Sequence, residues 1–216
     1  MKSKPHGDEE LSANRKISRR KFLRGAGVTT IGVAVAGGML ARTEVRTGTQ
    51  RVANILGPGP FPIQLQINGK SSAATVDPGE TLAETLRDRL HLTGTKISCD
   101  RGACGSCTVL IDGQPVCSCM TLAIDAVGHR VETIEGLMDG DQLHALQQSF
   151  IDHDGLQCGF CTSGMIMSCK ALLDHHPRPS SDDVRQAVSG NLCRCGTYPK
   201  VIDAVLGAAQ RLERKG

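Results

Sequence analysis

Apolar and polar positions alternate first at residues 63–67. Ile63, Leu65 and Ile67 flank Gln64 and Gln66, which predicts a half-buried strand. Asn68-Gly69 predicts a tight hairpin turn, with a return strand over Ala73 to Val76. Asp77-Pro78-Gly79 ends that strand, and Thr81 opens a helix whose Leu82, Leu86 and Leu90 form one inward stripe. Residues 99–107 have no apolar period and predict a loop. Thr108 to Ile111 predicts a strand, Asp112-Gly113 a turn, and Val116 to Cys119 the strand running back. Val131 to Ile134 would be a last strand, closed by Glu135-Gly136. From Leu137 the period lengthens. Leu143, Leu146 and Phe150 predict one helix. Met165, Ile166, Cys169, Leu172 and Leu173 predict a second, from Thr162 to about His175. Asp182 to Ser189 predicts a short third, and Val201, Val205, Ala208 and Leu212 a fourth. The fold class is α+β, with strands and one helix over residues 62–137 followed by a four-helix domain over 138–216. Two strands, a helix and then a cysteine-bearing loop is the element order of a β-grasp domain.

The amino-terminal part reads differently. Residues 1–24 hold eight Lys or Arg against three Asp or Glu, a charge of +5. The whole chain is only +3, so the remainder is −2, which gives no nucleic-acid footprint. Ser18-Arg19-Arg20-Lys21-Phe22-Leu23 is a twin-arginine pattern ahead of an uncharged stretch from Gly25 to Ala41. That stretch is too short and too mild for stable membrane insertion, which takes about 20 strongly apolar residues. The two features together predict a twin-arginine signal region over residues 1–41 and hence a periplasmic protein. The proline- and glycine-rich end of residues 42–61, Gly57-Pro58-Gly59-Pro60, predicts a linker.

Eight of the ten cysteines form two quartets. Cys99, Cys104, Cys107 and Cys119 are spaced C-x4-C-x2-C-x11-C, the spacing of plant-type [2Fe–2S] ferredoxins. Cys158, Cys161, Cys193 and Cys195 are spaced C-x2-C-x31-C-x-C. Zinc prefers paired C-x2-4-C units, so it suits the second quartet better than the first. Export with many cysteines also suggests disulfides. The twin-arginine route carries folded proteins, so clusters inserted in a reducing cytoplasm would survive it. Gly102 and Gly105 let backbone N–H groups approach the first cluster, and Gly105 is taken as cofactor-binding. Cys158 and Cys161 precede the second helix of this domain, and Cys193 and Cys195 precede the fourth, where free N–H groups favour an anionic cluster. Cys169 sits at a helical core position and reads as a small hydrophobe, as Met165 and Met167 read as packing residues. His153 could hold a turn or face a partner, and His175-His176 belong to a polar loop. No nucleophile elbow, phosphate loop or hydrolase motif occurs, so no catalytic residue is assigned.

These residues resemble the small iron–sulfur subunit of the xanthine oxidase family of molybdenum hydroxylases. The resemblance is carried by Gly94-Thr95-Lys96, Cys99 to Cys107, Thr133 to Leu137, Gln157-Cys158-Gly159-Phe160-Cys161-Thr162 and Gly190-Asn191-Leu192-Cys193-Arg194-Cys195-Gly196. The leader and Phe150-Ile151-Asp152-His153-Asp154-Gly155 are most similar to the bacterial periplasmic aldehyde oxidoreductase branch. Ser163 stands where many relatives have proline. The resemblance implies a heterotrimer. A large subunit would carry molybdopterin cytosine dinucleotide, a medium subunit would carry FAD, and this chain would relay electrons between them through two [2Fe–2S] clusters. The first quartet would lie nearer flavin and solvent, and the second nearer molybdenum. Gln157 and Cys195 would also touch the pterin. The family pattern Val-x-Ser-Cys assigns the fourth ligand of the first cluster to Cys119 and leaves Cys117 spare. A free-standing two-cluster carrier is the alternative reading, and a disulfide-stapled secreted domain a third.

Overall fold

A hairpin of β1 (Phe61–Ile67) and β2 (Lys70–Val76) begins the architecture, joined at the expected Asn68-Gly69 turn. Both turn residues have positive φ, 51° and 75°, the two left-handed positions of a type I′ turn. Asp112 and Gly113 repeat the device, at 49° and 81°, between β3 (Thr108–Ile111) and β4 (Gln114–Cys117). With β5 (Arg130–Glu132) they form a five-stranded sheet in the order β2-β1-β5-β3-β4. β1 and β5 are parallel, with Ile67 opposite Val131, and every other pairing is antiparallel. A short helix, α1 (Leu82–Glu84), continues as a wider π turn over Thr85–Arg89 and lies across the sheet. This is the β-grasp arrangement. Four helices follow: α2 (Ala145–Asp152), α3 (Thr162–His175), α4 (Ser181–Ala187) and α5 (Tyr198–Glu213).

The computed structural model describes residues 57–214, all within one unit, Asn54–Gly216. The predicted signal region, 1–41, and the predicted linker up to residue 56 lie outside the described residues. Among the described residues, no helix is long and apolar enough to cross a membrane.

Two cores meet at one strand. Leu65, Val76, Leu82, Leu86, Val109 and Val131 fill the space between sheet and α1. Leu146, Phe150, Met165, Met167, Val201 and Val205 fill the helical part, and Leu110 of β3 joins them. Successive side chains on a strand point to opposite faces. Val109 and Leu110 therefore serve different cores, and both are fully buried. The sheet supplies one wall of the helical layer, and α3 packs directly on β3.

The structure departs from the expected elements in several places, the helix after Thr81 among them: it widens into the π turn, and Leu90 falls beyond it, half-buried. β4 ends at Cys117, and Cys119 rides on a 3-10 turn, Ser118–Met120, instead of a strand. Ser118 causes the break: its N–H and hydroxyl both donate to the Cys107 carbonyl, at 3.3 and 2.6 Å, and pull the chain inward. β5 stops before Thr133, because the Thr133 N–H turns to the Asn68 side chain at 2.9 Å. Leu143 lies ahead of α2, whose start is capped by His144 and Gln147. Leu212 stays partly exposed at the end of α5.

Because Leu110 belongs to the helical core while its strand belongs to the sheet, Leu110→Ala is expected to destabilise both. The cavity should cost about 2–5 kcal/mol in denaturant unfolding. Helical and sheet signals should move to lower denaturant together. A shift in only one of them would show that the two cores unfold independently.

Candidate metal centres

The first three cysteines of the first quartet lie in a loop between α1 and β3. Asp100, Gly102 and Gly105 all have positive φ there, so the loop curls tightly. Cys104, Cys107 and Cys119 are buried, and Cys99 is half-buried. The loop aims its own amides at sulfur: the Gly102 N–H donates to Cys119 Sγ at 3.3 Å, and the Ala103 N–H to Cys99 Sγ at 3.3 Å. Such donors stabilise thiolate and hold it in place. Burial pushes Cys104 up, yet the N–H and hydroxyl of Ser106, with Cys99, outweigh it and bring the thiol down to about 7. Burial pushes Cys119 up to about 11, against the Gly102 N–H. Cys99 lies beside Cys104, and Cys107 beside both Cys119 and Cys117.

Gly102 also distinguishes Cys117 from Cys119. Its N–H points at Cys119, which therefore accepts. Its carbonyl faces the Cys117 thiol at 3.7 Å, which therefore donates. Burial, then the neighbouring Cys119, raises Cys117. One residue thus treats the two sulfurs oppositely, giving a donor to Cys119 and an acceptor to Cys117. Cys117 still packs against Cys107 and Cys119, so proximity alone does not separate the two.

The second quartet is built at two helix starts. Cys161 is the residue before α3, and Cys193 and Cys195 precede α5 across a Gly196 turn. Cys161 is buried and Cys193 half-buried, whereas Cys158 and Cys195 are exposed. Here Cys161 lies beside Cys193, and Cys158 beside Cys195. Burial, reinforced by Cys193, lifts Cys161 to about 12. Burial also raises Cys193, but the Thr197 hydroxyl and N–H prevail and bring it to about 7. The Cys193 N–H donates to Tyr198 OH at 2.9 Å, and that hydroxyl donates to the Asn191 carbonyl at 3.0 Å.

All ten cysteines are free thiols. Among the described residues, no three His, Cys, Asp or Glu side chains converge as they would on a single metal ion. Two thiols per metal is the donor set of a two-iron cluster, where bridging sulfides complete each iron. The residues present therefore fit [2Fe–2S] clusters in thiol type, pairing and backbone donors.

The two quartets are joined. The Leu192 N–H, next to Cys193, donates to the Cys104 carbonyl at 2.9 Å. Asn191 is buried; its amide donates to the Gly105 carbonyl at 2.9 Å and accepts from the Ser168 hydroxyl at 2.9 Å. A cavity of about 480 Å³ is walled by Cys104 of the first quartet and by Cys158, Cys161 and Cys193 of the second. Gly105 makes this junction possible, since a Cβ there would lie 2.6 Å from the Gly190 carbonyl. Gly164 does so from the other side: a Cβ would lie 2.1 Å from the Gly105 carbonyl. Gln157 is exposed beside Cys158, and Leu156, Phe160 and Leu192 are exposed around it. Asn191, Ser106, Thr197 and Gly164 carry no metal-ligand signature, so spacing rules passed over them. His153 holds its own helix end through the Ser149 carbonyl, at 2.9 Å.

Gly164→Ala is expected to force α3 away from the first cysteine loop, because the clashing atoms are backbone. Overpacking of this kind costs about 1–3 kcal/mol. Thermal unfolding should show a lowered midpoint. An unchanged midpoint would mean that the junction is more pliant than its contacts indicate.

Comparison with known proteins matches two family models in succession along the chain. Residues 65–129 match the model of a 2Fe-2S iron-sulfur cluster binding domain, and residues 133–206 that of a [2Fe-2S] binding domain. The chain is 43% identical over 171 residues to the aldehyde oxidoreductase iron-sulfur-binding subunit PaoA of Escherichia coli (strain K12), covering 72% of this chain and 75% of that one. It is 48% identical over 149 residues to the 6-hydroxypseudooxynicotine dehydrogenase complex subunit beta of Paenarthrobacter nicotinovorans, covering 68% and 93%. Among solved structures, a chain of quinoline 2-oxidoreductase from Pseudomonas putida 86 matches with a TM-score of 0.69 and 50% identity, over 72% of this chain and 97% of that one. Aldehyde oxidoreductase from Desulfovibrio gigas matches with a TM-score of 0.68 and 40% identity, over 72% of this chain but 18% of that much longer one. With both cluster-binding models matched in order, and relatives of this identity over most of their own length, the chain belongs to the iron–sulfur subunits of the molybdenum hydroxylases, the xanthine oxidase family.

Proposed function

We propose that this chain is the electron-relay subunit of a molybdenum-dependent aldehyde oxidoreductase. Electrons from a molybdopterin site in a large partner subunit would pass through two [2Fe–2S] clusters to FAD in a medium subunit. The chain performs no substrate chemistry itself. The observation that carries this reading is the direct link between the two thiol quartets, Leu192 N–H to Cys104 C=O at 2.9 Å. A relay needs two redox centres held at fixed separation, and this hydrogen bond fastens one thiol-bearing segment to the other. When bound, the clusters supply single-electron storage.

Cys99, Cys104, Cys107 and Cys119 would hold one cluster, and Cys158, Cys161, Cys193 and Cys195 the other. The Gly102 and Ala103 amides orient Cys119 and Cys99, and Tyr198 orients Cys193 through its N–H. Gly105 keeps the first loop close to Asn191 and so closes the space between the quartets. The exposed face around Gln157, Cys195, Phe160 and Leu192 suits the large subunit, with Gln157 and Cys195 toward the pterin. An aldehyde as substrate is favoured by the Escherichia coli relative, an aldehyde oxidoreductase subunit that matches over 72% of this chain. The twin-arginine pattern supports a periplasmic location for the complex.

Purified full chain should contain about four irons, two per cluster, and absorb broadly in the visible. Native purification should bring molybdenum and flavin with it. Zinc in place of iron would overturn the reading. A chain that carries its iron but elutes alone would be a free-standing carrier instead. Cys119→Ser is expected to lose one cluster's electron paramagnetic resonance signal while Cys117→Ser keeps both, and the opposite result would reassign the fourth ligand.

A further inference from the structure

Three helical elements of this chain are capped in the ordinary way. The side chains of Thr81, His144 and Ser180 each accept a hydrogen bond from a backbone N–H of the helix they precede. Threonine before a helix is usually recruited for that purpose. Thr197, ahead of the 16-residue α5, is an exception: its side chain makes no such bond. Its hydroxyl lies instead 3.2 Å from Cys193 Sγ, and the residue is 4% exposed. A thiolate bound to iron has no proton to give, so the hydroxyl must be the donor in that contact. The N–H of Thr197 faces the same sulfur.

We infer that the Thr197 hydroxyl is a tuning donor to Cys193, raising the reduction potential of the cluster that this cysteine holds. The inference rests on the cluster assignment above and goes beyond it. Reduction adds one electron and makes the cluster more negative, so a donor aimed at its ligand sulfur stabilises the reduced form more than the oxidised one. Hydrogen bonds to cluster sulfurs are among the levers that set such potentials. No covalent bond changes in this step. The electron enters the cluster, and Thr197 keeps its proton.

The arrangement is lopsided. Cys161 and Cys193 sit against each other at the starts of α3 and α5, where free N–H groups and the positive helix ends gather. Cys158 and Cys195 face solvent. Thr197 adds its donor on the side already rich in donors. Thr197 is therefore a positioning and tuning residue of the relay, acting through Cys193.

The test is a redox titration of the full chain with both clusters loaded, followed by electron paramagnetic resonance, which reads the two clusters separately. Thr197→Val removes the hydroxyl and keeps the shape and the backbone N–H. One cluster should become harder to reduce by up to about tenfold in its equilibrium, about 59 mV for a one-electron couple. The other cluster should not move, and Thr197→Ser should stay near wild type. An unmoved potential in Thr197→Val, with four irons present, overturns the tuning role while leaving the relay reading intact. Equal shifts in Thr197→Val and Thr197→Ser would also overturn it, since they would reflect packing and not the hydroxyl. Should Thr197→Val shed its cluster, Thr197→Ala gives the same comparison without bulk. Wild-type protein without iron would instead defeat the relay assignment itself.

Discussion

Close backbone approach between the first cysteine loop and the helical layer governs this molecule. The loops that carry the thiols bury little apolar surface of their own, so their shape must come from what they touch. Gly105 and Gly164 let two backbones meet at a distance that no Cβ would allow. Asn191 then bridges the meeting point to Ser168 of α3 and to the Gly105 carbonyl. A buried amide side chain with both ends satisfied is rigid, because releasing it would leave polar groups unpaired. Spacing between the quartets thus follows from backbone contacts and one asparagine, with the thiols riding on a frame already fixed.

The sheet and the helices depend on each other through the same region. β3 leaves the first cysteine loop at Thr108 and places Val109 in one core and Leu110 in the other. Any displacement of the loop is therefore felt in both layers within three residues of Cys107. The 3-10 turn bearing Cys119 is held by Ser118 to the Cys107 carbonyl, so the fourth thiol moves with the third. The Asn68 turn is tied to Thr133, and Glu135 accepts from the Gly94 N–H at 2.7 Å. The Thr133-Ile134-Glu135-Gly136 phrase works as a clasp on the sheet and belongs to no metal site.

Features set by neighbours in the chain were readable in advance. The Asn68-Gly69 and Asp112-Gly113 turns, β3, and the span of α3 all follow from turn chemistry or apolar period. Features set by distant partners were not. The parallel β1–β5 pairing joins Ile67 to Val131, and nothing local announces it. The end of β4 depends on a hydrogen bond from Ser118 to Cys107 that spacing does not encode. Leu143 and Leu212 fit a helical stripe but sit at the margins of their helices, where a stripe no longer predicts burial. The thiol quartets were visible from spacing, and which thiol lies beside which was not. Asn191 and Thr197 stood within or beside recognisable motifs, yet their roles depend on atoms that approach them only after folding.

The unequal exposure of the four thiols at the helix starts bears on how the protein matures. Cys161 is enclosed while Cys158 and Cys195 open to water, so that cradle has a door on one side only. Metal delivery to a finished fold would have to come through that door, ahead of any subunit that docks there. In the opposite cradle Cys104, Cys107 and Cys119 are buried and Cys99 is half-buried. A chelator or oxidant reaching the finished fold would accordingly meet Cys158 and Cys195 before Cys161.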